Sequence, residues 1–178
     1  GRIVTEGFSS RTQDGPDADV TEDDGFRQST VNATGEYDLT DTLSMGAALF
    51  YRAGDLDYDI SRTNSEGRIQ SEEIGARVYA KLNTGNVDST FSYSYFDIER
   101  DVDGSIFRGT RRNLAYLGTA TVSNALVLNF GADYTEEDYR SNGIFATEDN
   151  TSVNAELLYS PSDAIDISAA LRFDDNST

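Results

Sequence analysis

The chain has no cysteine and no histidine among its 178 residues. Without cysteine there are no disulfides, no thiolate metal sites and no cysteine nucleophile. Without histidine there is no imidazole base, no Ser-His-Asp triad and no His-based zinc or iron site. Together these absences push against a hydrolase. Positive charge is also scarce, with 14 Lys and Arg against 32 Asp and Glu, a net charge of −18. Such a chain repels phosphate backbones, so nucleic acid is not expected as a partner. No run reaches the ~18 consecutive apolar residues of a membrane helix. The opening "GRIVTEGFSS" has no apolar leader and reads as the start of a mature or excised piece. What the chain does hold is 10 Tyr, 9 Phe and only 2 Pro, which argues against a disordered linker.

Its dominant signal is alternation with a period of two. Leu43, Met45, Ala47, Leu49, Tyr51 and Ala53 share one side, opposed by Thr42, Ser44, Gly46, Ala48 and Arg52, with Phe50 as the exception. Successive strand side chains point to opposite faces, so this is a strand apolar on one side only. The same pattern recurs through Val31–Tyr37, Ile74–Leu82, Phe91–Tyr95, Leu114–Val122, Leu126–Tyr134, Val153–Tyr159 and Ile165–Phe173. That makes about eight strands, each near the ~9–11 residues of a tilted membrane strand.

The joints alternate in kind. "DLTDT", "NTGN", "SNA" and "SPSDA" are tight turns by composition. Between the resulting hairpins lie "GDLDYDISRTNSEGRIQS", "DIERDVDGSIFRGTRR" and "EEDYRSNGIFATEDN", expected as long polar loops. Residues 30–55 also resemble 152–176, three hairpins further on, as a meander built by duplication would give. The expected fold is an all-β, antiparallel up-and-down meander. Residues 1–25 are expected as a preceding strand end plus an acidic outer loop, and 26–178 as a single partial domain of four hairpins.

Alternation cannot say which face is inside, because a soluble sandwich and a membrane barrel differ only in that sign. Short turns alternating with long loops match an outer-membrane barrel. So do aromatics near strand ends (Tyr37, Tyr51, Tyr58, Tyr95, Phe96, Tyr134, Tyr159 and Phe173), read as interfacial girdles. Glu36, Arg52, Arg77, Lys81, Asp133, Glu156 and Arg172 on the polar face suit a hydrated lumen. Chain direction puts both ends on the outer side, so the strands are expected to form about eight strands of a larger transmembrane barrel.

"YDLTDTLSMGAALFYRAGDLDYD", "NLAYLGTATVSNALVLNFGADYTEEDYRS" and "ELLYSPSDAIDISAALRFDD" resemble barrel strands of TonB-dependent outer-membrane receptors, of a cobalamin-receptor-like kind. The likeness runs from about residue 26 to 175. It implies a 22-stranded barrel closed by a plug domain, in the bacterial cell outer membrane. It further implies uptake of an iron chelate, cobalamin or a similar scarce nutrient, driven through TonB. The partners so implied are the lipid bilayer, lipopolysaccharide, the rest of the barrel, the plug, TonB and a small-molecule ligand. A passive outer-membrane porin and a soluble all-β binding or adhesion module remain alternatives.

Few residue groups suggest chemistry. Asp55, Asp57 and Asp59 alternate, so their carboxylates would share one side of an extended strand, a spacing that suits Ca²⁺. The resemblance implies the same, since cobalamin receptors bind calcium through outer-loop aspartates; a solvated acidic loop is the plainer reading. "ERDVDG" (Glu99, Asp101, Asp103, Gly104) begins like an EF-hand but puts Thr110 where the bidentate Glu belongs, so that motif fails. "DADVTEDDG" reads as an acidic loop. Arg108, Arg111 and Arg112 form one basic cluster, able to meet an anionic ligand or lipopolysaccharide phosphate, or to pair with nearby acids. No catalytic residues and no required cofactor are expected.

Overall fold

The computed structural model describes residues 1–5, 25–61 and 65–177; side chains of residues 5, 59–61 and 65–66 lie outside that description. Among the described residues the chain is one antiparallel sheet of nine strands in sequential order. The strands are β1 (Arg2–Thr5), β2 (Phe26–Thr40), β3 (Leu43–Ser61), β4 (Ser65–Asn83), β5 (Val87–Val102), β6 (Ser105–Ser123), β7 (Leu126–Ser141), β8 (Ile144–Ser162) and β9 (Ile165–Ser177). No helix is present among these residues. The sheet is not closed: β1 and β9 are its edges. The expected meander is therefore present, with the short β1 added through Arg2↔Ser29 to Thr5↔Phe26.

One set of turns falls where the sequence places it, at 41–42, 84–86, 124–125 and 163–164. At the other end the expectation of long loops fails. β3 and β4 stay paired from Leu43↔Leu82 up to Ser61↔Ser65, β5 and β6 up to Val102↔Ser105, and β7 and β8 up to Ser141↔Ile144. Two of these ends close on Asp103-Gly104 (φ 54° and 84°) and Asn142-Gly143 (φ 47° and 82°). Positive φ at both central residues is what a tight hairpin matched to strand twist needs, and Asp-Gly or Asn-Gly supplies it. The "loops" are thus strand extensions, which is why β3–β8 run to 16–19 residues. The acidic stretch "DADVTEDDG" lies outside the described residues but for Gly25.

Register carries every alternating set onto a common side. Val31, Ala33 and Gly35 pair with Tyr51, Leu49 and Ala47. Leu49, Ala47 and Met45 pair in turn with Ala76, Val78 and Ala80, and those with Tyr95, Tyr93 and Phe91. The series continues through Tyr93↔Leu114, Leu114↔Tyr134, Ala132↔Val153 and Val153↔Phe173. Directly opposed residues share a face in an antiparallel pair, so one apolar surface crosses eight strands. Phe91, Tyr116 and Phe130 form a ring ladder on it, with centroids 4.6 and 5.8 Å apart.

This surface has nothing over it. Among the described residues no hydrophobic side chain is buried, while Val31, Leu49, Val78, Phe91, Leu114, Leu171 and Phe173 are all exposed. The buried side chains are polar (Glu73, Ser92, Thr135, Ser141 and Ser152), and all five fall on the opposite face. Crowded polar groups on one side and bare apolar groups on the other describe a barrel wall seen from lumen and lipid, not half of a sandwich core. The register is also staggered: Val87 pairs with Ala120, while β6 runs on to Ser123. Tilted barrel strands require such stagger.

Candidate functional site

The polar face is a hydrogen-bonded lining. Tyr79 Oη and Lys81 Nζ each donate to Glu36 Oε2 at 2.6 Å. Arg52 pairs with Glu73, Asn113 donates to Thr135 at 2.9 Å, and Asn129 donates to Glu156 at 2.9 Å. Ser152 donates to Asp133, and Arg172 holds Asp174 at 2.8 Å. All seven charged residues assigned to a lumen from the alternation lie on this face. Every buried side-chain N or O among the described residues has a partner, as buried polar groups require.

Glycine makes one of these contacts possible. The Tyr79 ring lies across Gly46, where a Cβ would sit 2.2 Å from Cζ. Gly46→Val should therefore displace the ring from Glu36 and lower the urea midpoint, with Tyr79→Phe showing most of the same loss.

Along each strand the two faces exchange character. Between the tight turns and about Tyr51, Ile74, Tyr95, Leu114 and Tyr134, the outward face is apolar and the inward face polar. Beyond those residues the outward positions include Asp55, Asp57, Arg68, Gln70, Glu72, Glu99, Asp101, Arg108, Glu136, Asp138 and Arg140, with Ile106 and Phe145 as apolar exceptions. The inward positions there gain Leu56, Ile69, Phe96, Ile98, Val102, Phe107 and Tyr139, interspersed with Ser71, Glu73, Arg100, Arg111 and Glu137. The lower zone has the polarity of a wall in lipid. In the upper zone it is that of a sheet in water. The crossover marks where the strands leave hydrocarbon, and the lower zone of β4, Ile74–Leu82, has the length a tilted strand needs to span.

Several sequence expectations change with this geometry. Tyr51, Tyr95, Tyr134 and Phe173 lie on the outward face near the crossover, and Tyr37 and Tyr159 on it near the turns, as girdles require. Phe96 and Tyr58 have the opposite parity and face inward. Phe96 and Phe50 flank Gly75, their rings 3.5 and 3.6 Å from where its Cβ would be, so the irregular Phe50 belongs to an inward pair. The basic cluster is split: Arg111 points inward to Glu137 at 3.2 Å, whereas Arg108 and Arg112 point outward to Glu99 and to Glu136 and Asp138.

The acidic candidates are held by donors. Asp55 Oδ1 accepts from Gln70 at 2.9 Å and from Arg68 at 3.0 Å, and Arg68 lies 3.8 Å from Asp57. The Asp59 side chain is outside the described residues. Among the described residues no group of three or more acid side chains is arranged to hold a metal ion. Asp101 accepts from Gly104 N–H at 2.7 Å. Asp103 accepts from Tyr58 Oη at 2.6 Å and from Arg68 N–H at 2.7 Å, tying the β5–β6 tip to β3 and β4. The "ERDVDG" aspartates thus build a hairpin end.

These bonds set a pH dependence. The Tyr58 hydroxyl and the Arg68 amide hold Asp103 below the usual carboxylate value, and Gln70, then Arg68, do the same for Asp55. A depressed folded-state pKa stabilises above the unfolded value and loses that contribution as pH falls through the folded one. The upper hairpins should keep their order from pH 7 to 5 and loosen only below about 4. Hydrogen exchange at the Arg68 amide, which donates to Asp103, reads this directly.

A single antiparallel sheet, bare and apolar outside, polar and hydrogen-bonded inside, is the wall of an outer-membrane-type β-barrel. The solved structures it resembles are bacterial outer-membrane β-barrel proteins. The copper transporter OprC matches with a TM-score of 0.70 over 83% of this chain at 11% identity. The ferric yersiniabactin uptake receptor FyuA of Yersinia pestis matches at 0.68 over 98% at 13% identity, and the siderophore receptor PirA of Pseudomonas aeruginosa at 0.62 over 99% at 13%. The chain spans only 29–36% of those proteins' lengths. OmpT of Vibrio cholerae matches at 0.53, with 16% identity and 54% of its length spanned. No protein-family profile and no curated protein sequence matches the chain.

Proposed function

We propose that this chain is part of the wall of a receptor-transporter of the TonB-dependent type in the bacterial outer membrane. It would take up a scarce nutrient such as a metal chelate. The observation that carries this is the apolar outward face across eight strands, ending where the polarity inverts. Support comes from the fold shared with OprC, FyuA and PirA. The bare backbone edges of β1 and β9 agree, because an open edge does not persist in hydrocarbon and must meet further strands. Their partners in this reading are the rest of the barrel, a plug, TonB, lipid and lipopolysaccharide, the last facing Arg108, Arg112 and Arg140. The cobalamin-receptor-like narrowing rests on strand motifs alone.

Transport through such a wall gives catalysis no part. Arg68 already holds Asp55 and Asp57, so the acidic run is read as an ion-paired rim rather than a calcium site; millimolar Ca²⁺ should leave the melting temperature unchanged. A passive porin has the same wall without a plug, and liposome swelling separates the two. The full-length protein should be impermeable to small sugars, whereas rapid swelling would favour the porin.

A further inference from the structure

The upper zone leaves an apolar surface on the inside of the wall, facing the path into the lumen. Its clearest feature is a depression of about 430 Å³ framed by Ile98, Arg100, Val102, Phe107, Gly109 and Tyr139. These belong to β5, β6 and β7 and share the inward parity, through Ile98↔Gly109, Arg100↔Phe107 and Gly109↔Tyr139. Gly109 forms its floor, where a Cβ would stand 3.3 Å from Ile98 Cγ2. The volume is in the range that holds a small organic ligand. A second depression, of about 510 Å³, adjoins it through Ile98, Gly109 and Tyr139.

Its charge is unlike that of the chain around it. In a protein of 32 acidic residues, no carboxylate lines this depression, whereas four further depressions on the sheet all carry at least one. Arg108 also borders it, but its guanidinium is on the other face with Glu99. Arg100 is exposed and has no carboxylate within 4 Å among the described residues. Of the neighbouring inward acids, Glu73 is committed to Arg52 and Glu137 to Arg111, while Glu148, on β8, lines the adjoining depression and not this one. One unengaged guanidinium beside an aromatic and aliphatic bed is complementary to a molecule with an apolar body and one acidic group.

We propose that this depression is a binding site for a small amphipathic anion. The apolar or aromatic body lies on Ile98, Val102, Phe107 and Tyr139, with the carboxylate held by Arg100. The inference rests on the barrel reading, which makes this face the inner one.

The test uses full-length protein in detergent, with naphthalene-2-carboxylate and its neutral counterpart naphthalene-2-methanol as probes in calorimetric titrations. The carboxylate should bind saturably and more tightly than the alcohol. Arg100→Gln should weaken the carboxylate roughly tenfold and leave the alcohol nearly unchanged, a selective loss that misfolding would not give. Gly109→Leu, which fills the floor, should abolish both, and Arg77→Gln, elsewhere on the inward face, should change neither. The absence of saturable carboxylate binding overturns the proposal, as does equal affinity for the two probes or an Arg100→Gln variant that keeps wild-type affinity. Failure of the barrel reading shows separately, as a protein that stays folded and soluble without detergent.

Discussion

Val78→Arg should cost about 2–4 kcal/mol of folding free energy in a bilayer, while Leu117→Arg should cost less than about 1. The comparison works because the two side chains are alike in bareness, 53% and 55% exposed, and each lies midway along its spanning stretch. Val78 pairs with Ala47 and Tyr93 on the outward face. Leu117 pairs with Thr90 and Gly131 on the inward face, where Arg77 and Arg52 already stand. A guanidinium at 78 must enter hydrocarbon or thin it, whereas one at 117 meets a hydrated lining. Urea titration in lipid vesicles measures both. Equal costs would mean that the two faces meet the same solvent.

Arg52→Ala should destabilise by about 2–4 kcal/mol. Glu73 is 4% exposed and Arg52 is the cation paired with it. Removing the guanidinium leaves a nearly buried carboxylate without its counter-charge. The cost falls towards the lower end because the Arg52 side chain is itself 41% exposed and already partly hydrated. Converting both partners to methionine should recover most of the loss, since it removes the buried charge as well as the pair. Urea midpoints of the two variants decide it, and a double variant no better than Arg52→Ala would contradict this account.

Much of this wall was legible in the residues. Alternation located eight strands and assigned seven charged side chains to the correct face, because a side chain every second residue is a geometric necessity of a strand. The upper zone is harder to read, although its signal is present. In "FSYSYFDIERDV" the apolar phase runs Phe91, Tyr93, Tyr95 and then shifts to Phe96, Ile98 and Val102. "LFYRAGDLDYD" shifts likewise, from Leu49 and Tyr51 to Leu56 and Tyr58. A phase shift is what a strand must show on passing from lipid to water, since the side that needs apolar groups changes. Acid-rich composition suggests loops instead, and Asp103-Gly104, a strong hairpin signal, lies inside a failed calcium motif. Position along the strand suggests a girdle for Phe96 and Tyr58, but their parity excludes it. The anion depression has no signature in sequence order, because Arg100, Phe107 and Tyr139 meet only through register.

These 178 residues contain no native cysteine, so the central claim is testable by single-cysteine spin labels from Ser89 to Val102 in the reconstituted full-length protein, with any cysteine elsewhere in it replaced by serine. The account predicts maximal oxygen accessibility, hence lipid, at 91, 93 and 95, and maximal accessibility to a polar nickel reagent at 92 and 94. Beyond 97 the oxygen maxima should vanish and the outward positions 97, 99 and 101 should become the wetter set. Labels at 91, 93 and 95 shielded from both reagents would instead place that face in a protein core, and the wall described here would be wrong.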